Sequence, residues 1–173
     1  MEGGSTELME RLQGGEIDLS FVRTSPDTKI GEGFERIPYA EDSLSAIVPV
    51  GHPLSHRQGV RMDDLKEESL LLLSSDTFMF QLCLSACRRA RFEPKIGFTG
   101  RKSGNLLLMA EKGFGVALLT QNPIQEELTE GLVLIPIEPK IEANIQLIYR
   151  KGGKLSMPAR EFLSMLRQER PPA

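Results

Sequence analysis

Histidine, cysteine and aromatic residues are all scarce in this sequence: two His, two Cys, two Tyr and no Trp among 173 residues. So few histidines leave little material for general-base or metal chemistry. His52 and His56 share one polar turn with Gly51 and Pro53. The helix that would align an i, i+4 metal pair is not expected there. Cys83 and Cys87 stand four residues apart on one face of an expected helix, with no further Cys or His nearby, and read as buried structural thiols. Sparse aromatics argue against stacking platforms for single-stranded nucleic acid. Basic residues are not in excess either, with 21 Lys and Arg against 24 Asp and Glu and a net charge of −3. A sequence-independent nucleic-acid binder normally carries that excess. The local cluster Arg88-Arg89-Ala90-Arg91 reads as a solvated helix end favoured by the dipole.

Catalytic signatures are missing as well. There is no Gly-x-Ser-x-Gly elbow and no Walker phosphate loop. Gly113-Phe114-Gly115 falls between a helix and a strand, whereas a dinucleotide loop runs from strand to helix. The carboxylate pairs Asp63-Asp64, Glu67-Glu68 and Glu126-Glu127 fall on exposed helices or caps. An enzyme is therefore not expected, and neither is a cofactor or a metal. No apolar run approaches a membrane span, and the N-terminal residues show no charged-then-apolar signal pattern. Cytoplasmic residence is the expectation.

The hydrophobic fraction of 40% and charged fraction of 26% are those of a globular domain. Period and punctuation give an element order. Helices are expected at 5–13, 64–68, 77–91, 104–111, 123–130 and 159–169. Strands are expected at 16–22, 34–39, 43–50, 70–73, 95–99, 114–120, 132–137 and 144–150. Alternation of strands and helices predicts an α/β fold with a largely parallel sheet. Pro171-Pro172-Ala173 reads as a frayed tail.

Three strand ends lead into hydroxyl-rich turns: Phe21 to Ser25, Leu73 to Thr77, and Phe98 to Asn105. Ligands of open α/β sheets sit at the carboxyl ends of strands. Two of these turns also feed helix N-termini, whose free N–H groups favour an anion. Helix capping by Ser and Thr accounts for any one of these residues taken singly; their coincidence is what points to a binding cleft.

Five segments resemble LysR-type transcription regulators, in order and at the family's spacing. They are Leu12-Gln13-Gly14-Gly15-Glu16-Ile17-Asp18-Leu19-Ser20-Phe21, the turn Val48-Pro49-Val50-Gly51-His52-Pro53-Leu54-Ser55, and Val60-Arg61-Met62-Asp63-Asp64-Leu65. After these come the strand entry from Met109 to Leu119, with Gly113-Phe114-Gly115, and the closing helix from Ser156 to Leu163. The resemblance implies an effector-binding domain with a fold like that of type 2 periplasmic binding proteins: two Rossmann-like lobes joined by two crossing strands. Lobe I would be 1–49 with 123–173 and lobe II 50–122, the crossings falling near 48–50 and 119–122. Thr120-Gln121 departs from the family's common Pro after the strand.

A small-molecule effector, an organic anion, is expected in the inter-lobe cleft. Arg23 and Thr24 would reach it from lobe I. Ser74, Thr77 and Phe78, with Thr99, Ser103 and Asn105, would reach it from lobe II, and Thr120 would line the floor near the hinge. The resemblance further implies a homodimer formed through this domain. DNA contact would come only from a winged helix-turn-helix that has no counterpart in this sequence. The family's first strand and most of its first helix have no counterpart either. A solute-binding protein of a transport system would share the fold and is the alternative.

Overall fold

The structure, a computed structural model, describes residues 5–169. The chain opens with helix α1 (Ser5–Gly14), which Gly15 ends at φ +76°, a left-handed conformation that costs glycine little. Strands β1 (Leu19–Thr24), β2 (Phe34–Ala40) and β8 (Asn144–Arg150) form an antiparallel sheet in the order β1-β8-β2. Alternation divides its two faces. Val22 and Ile148 pack with Leu12 of α1 on one face. On the other, Phe21 meets Tyr39 at 4.5 Å and Phe162 at 6.1 Å, between ring centroids. Phe162 belongs to α5 (Met157–Glu169), which buries Ala159 and Leu163. Three strands are thus enclosed by one helix on each side.

The larger sheet has the order β5-β4-β6-β3-β7. Its strands are β3 (Leu44–Pro49), β4 (Ser69–Leu73), β5 (Lys95–Gly100), β6 (Val116–Thr120) and β7 (Leu132–Pro136). All five residues of β6 are buried, as expected of a strand covered on both faces. Leu70, Leu72, Val116 and Leu118 face helix α2 (Phe78–Arg89) and the 3-10 helix Met62–Leu65. Ile47, Leu71, Ala117 and Leu119 face α3 (Ser103–Glu111) and the short α4 (Gln121–Gln125). Because four consecutive leucines occupy β4, its own pattern does not choose a face, and the neighbouring strands must set the register. Gly97 helps to set it. It sits at a register shift between β4 and β5, and a Cβ there would lie 2.0 Å from Ser69 Oγ.

Several expectations require correction. The fold is not largely parallel: the three-stranded sheet is wholly antiparallel, and in the larger, mixed sheet only the strand pairs β4-β5 and β4-β6 are parallel. The first strand starts at Leu19 rather than at 16, the helix expected at 64–68 is the 3-10 helix Met62–Leu65, and the helix expected at 123–130 is the shorter Gln121–Gln125. The crossings do not fall at 48–50 and 119–122. Strand β3 pairs on both edges, with β6 and β7, and its Leu44 to Val48 are all buried. It is therefore an interior strand of the large sheet, and the chain passes between the sheets at 41–43 and 137–143. The tail 171–173 lies outside the described residues. No helix among the described residues is long and apolar enough to cross a membrane.

Candidate functional site: a cavity between the two sheets

The two passages between the sheets run beside each other. Leu44 N donates to Ile141 O and Ala143 N to Asp42 O, each at 2.9 Å. Asp42 ties this junction together. Its buried carboxylate accepts from Arg23 Nη1 on β1 (2.9 Å), from Ser43 N (2.9 Å) and from Asn122 N on α4 (3.1 Å). The Asn144 amide oxygen accepts from Asp42 N at 3.0 Å, and Arg23 Nη1 also donates to Ala143 O at 3.0 Å. A buried carboxylate is costly unless paired and hydrogen-bonded, and this one is both. It thereby links the small sheet, the large sheet and both passages.

Next to the junction lies a cavity of about 380 Å³, within the usual size range of small-ligand sites. Its floor is apolar: Met62, Leu82, Ala86, Ile137 and Ile141. Ser25 and Pro26, just past β1, bring the small sheet to its wall, while α2 and the 3-10 helix supply the large-sheet side. Every rim cation has a carboxylate neighbour: Arg61 with Asp63 at 3.7 Å, Arg89 with Asp27 at 3.2 Å, and Lys140 with Glu41 at 3.7 Å. The Arg89–Asp27 pair bridges α2 to the loop after β1, so it spans the two sheets at the cavity's edge. A second cavity, about 120 Å³ and polar, is lined by Thr24, Thr28, Arg36, Asn144 and Gln146. The two share Ser25, Pro26 and Glu142 and so adjoin.

Of the nine residues expected to hold a ligand, Thr24 alone lines either cavity. It is buried, and its hydroxyl donates to Asn144 O at 3.4 Å. Arg23 is directed to Asp42. Thr77 is the N-cap of α2: its Oγ1 accepts from Phe80 N at 3.1 Å and donates to Ser74 O at 2.7 Å. Phe78 packs on the α2-side core, and Thr99 and Asn105 are exposed. Ser103 Oγ donates to Glu127 Oε2 at 3.1 Å, and Thr120 is buried at the end of β6. Because β4, β5 and β6 run in one direction, Ser74, Thr77, Ser103 and Asn105 follow the carboxyl ends of parallel strands, and Thr99 and Thr120 stand at those ends within β5 and β6.

Sequence reasoning missed the floor and most of the rim. The polar run Glu138-Pro139-Lys140 between two apolar strands was the available signal. Leu82 and Ala86 lie four apart on α2, but nothing in their spacing distinguishes a face that opens on a cavity from one that packs a core. The thiols are as expected: Cys83 and Cys87 are buried and free. Burial pushes both up, Cys87 to about 11, with the charge of Glu93 adding to the effect. His52 Nδ1 accepts from Leu54 N at 3.2 Å, a turn contact. Among the described residues no three His, Cys, Asp or Glu side chains are grouped to hold a metal.

Two mixed α/β units around an apolar cavity with polar neighbours define a small-molecule-binding domain. Residues 1–171 match the LysR substrate binding domain family, and the chain belongs to it. Among curated relatives it is 26% identical over 168 residues to the transcriptional dual regulator GltC of Bacillus subtilis, covering 96% of this chain and 55% of that protein. The regulatory domain of CcmR from Synechocystis PCC6803, solved in complex with 2-PG, superposes with a TM-score of 0.82 at 18% identity, covering 98% of this chain and 82% of that one. The effector binding domain of BenM, solved with benzoate, superposes with a TM-score of 0.79 at 22% identity, covering 98% and 76%. The chain thus spans about half the length of GltC and about three quarters or more of these two solved domains.

Proposed function

We propose that this chain is the small-molecule-sensing regulatory domain of a cytoplasmic bacterial transcription regulator and carries out no covalent chemistry. The observation that carries this reading is the 380 Å³ cavity, whose walls come from the loop after β1, from α2 and the 3-10 helix, and from the segment that joins the two sheets. A molecule held there touches both units, so its binding energy differs between open and closed arrangements. Such a difference is what a ligand needs to shift a population. The lobes are assigned as 5–40 with 144–169 and as 44–136. A carboxylate-bearing metabolite is the proposed effector class, as benzoate is for BenM, whose domain shares the fold. Thr24 and Ser25 contact it from lobe I, with Arg23 holding the junction behind them. On lobe closure the carboxyl-rim residues Ser74, Thr77 and Phe78, then Thr99, Ser103 and Asn105, are assigned to its far side, with Thr120 at the hinge.

Ile96, Leu108 and Phe114 are exposed apolar residues around the β5 edge and the end of α3. A second copy of the chain is the proposed cover for them, giving a homodimer. DNA contact belongs to a winged helix-turn-helix in the part of the regulator that this chain does not span.

A thermal-shift series with benzoate and other small carboxylates tests the sensing reading. Saturation at a hundred times the dissociation constant stabilises a fold by about 2.7 kcal/mol. The shift is expected to vanish in Ala90→Phe, which fills the cavity from its wall. A shift that survives this substitution places the ligand elsewhere, and no shift from any carboxylate removes the effector class. Ser103→Ala tests the rim: lower affinity at an unchanged melting temperature keeps Ser103 in the site, and equal affinity removes it.

A further inference from the structure

The polar cavity beside the apolar one carries two charged groups without an ion-pair partner and one acceptor without a donor. Among the described residues no carboxylate lies within 4 Å of the Arg36 guanidinium, and no cation lies within 4 Å of Glu142. The third group is Gln146 Oε1, which is buried and has no hydrogen-bond partner. Register brings two of them together. Arg36 on β2 pairs with Ile148, two residues along β8 from Gln146, so both side chains belong to one face of the small sheet. Glu142 is held in place by Asn144, whose Nδ2 donates to its Oε2 at 2.8 Å. A cavity of about 120 Å³ is therefore lined by one cation and one carboxylate without ion-pair partners and by one buried acceptor. The adjoining cavity of about 380 Å³ offers an apolar floor, and its own rim cations are already paired.

We infer that the ligand is an α-amino acid with an apolar side chain, its zwitterionic head in the polar cavity and its side chain over Met62, Leu82 and Ile137. The ammonium group donates to Glu142 and Gln146 Oε1, and the carboxylate faces Arg36. A plain organic anion would satisfy Arg36 but leave the Gln146 acceptor without a donor and Glu142 without a cation. A plain amine would do the reverse. Buried acceptors left unpaired weigh heavily against a ligand, and this makes the head group selective. The inference rests on the sensing reading above and narrows its carboxylate class to one that also carries an amine.

Isothermal titration of the 173-residue chain with L-phenylalanine, L-leucine and L-methionine tests it, with 3-phenylpropanoate and 2-phenylethylamine as matched probes lacking one charge. At least one amino acid is expected to bind, and each of the matched probes is expected to bind about tenfold or more weaker than L-phenylalanine. Arg36→Gln is expected to weaken the amino acid about tenfold while sparing the amine, and Glu142→Gln to weaken it similarly while sparing 3-phenylpropanoate. Arg36 is exposed and has no ion-pair partner, so its substitution leaves the melting temperature in place. If 3-phenylpropanoate binds as tightly as L-phenylalanine, and loses that binding in Ala90→Phe, the zwitterion is wrong and the sensing reading stands. If no amino acid binds to the cooperatively folded chain, the inference falls. If the carboxylate series fails too, both fall.

Discussion

Arg23 and Asp42 form an ion pair at 2.9 Å, Nη1 to Oδ2, in which the Asp42 side chain is fully buried and the Arg23 side chain is 23% exposed. Arg23 comes from the small sheet, and Asp42 stands in the passage to the large one. The pair fixes how the two units meet. Arg23→Met leaves the carboxylate its two backbone donors, Ser43 N and Asn122 N, but no cation. A loss of about 1.5–3 kcal/mol in denaturant stability is expected, the range for a hydrogen bond to a charged group. A change within 0.5 kcal/mol would contradict the structural role, and an affinity loss without a stability loss would return Arg23 to the ligand.

Thr77 is expected to act as a cap. Thr77→Ala removes the acceptor for Phe80 N and is expected to cost about 1 kcal/mol, while Thr77→Ser keeps most of it. Unchanged stability in the alanine variant would contradict the cap.

The two thiols are expected to be inert in the folded chain. Both are raised above their ordinary value of 9.0, so the folded state keeps protons that the unfolded state releases. Stability therefore falls as pH rises beyond 9, and for Cys87 the decline is complete near its folded value of about 11. Cys87→Ala is expected to flatten that decline, as equilibrium unfolding between pH 8 and 11 would reveal. Disulfide-reagent labelling at neutral pH is expected to proceed only at the rate of unfolding; a rapid burst would contradict the burial.

Ser45 offers a gain. Its hydroxyl is buried in β3 without a hydrogen-bond partner. Ser45→Ala is expected to be neutral or to stabilise by up to about 1 kcal/mol, since it removes a desolvated polar group. Destabilisation beyond that amount would show that the hydroxyl is satisfied after all.

Much of the fold was legible because its strands are short apolar runs bounded by Gly, Pro and polar turns. All eight strands from β1 to β8 were anticipated to within a few residues. The division between the sheets was not. Pro49 and the turn that follows look like a boundary, yet Leu44 to Val48 pair on both edges, and pairing partners are not written in a strand's own sequence. The four leucines of β4 show the same limit. Of the hydroxyl-rich strand ends only Thr24 and Ser25 line either cavity, and the larger cavity depends on which face of α2 meets the segment 137–142. Only the packed structure brings Leu82 to Ile141, or leaves Gln146 Oε1 without a partner.

The most direct test of a ligand held between the sheets is a methyl carbon–proton spectrum of the chain, titrated with benzoate and with L-phenylalanine. Saturable shifts are expected at Met62, Leu82, Ile137 and Ile141, with Leu12 and Leu163 unmoved. Shifts confined to methyls away from the 137–142 segment, or no shift with either probe at millimolar concentration, would contradict the account.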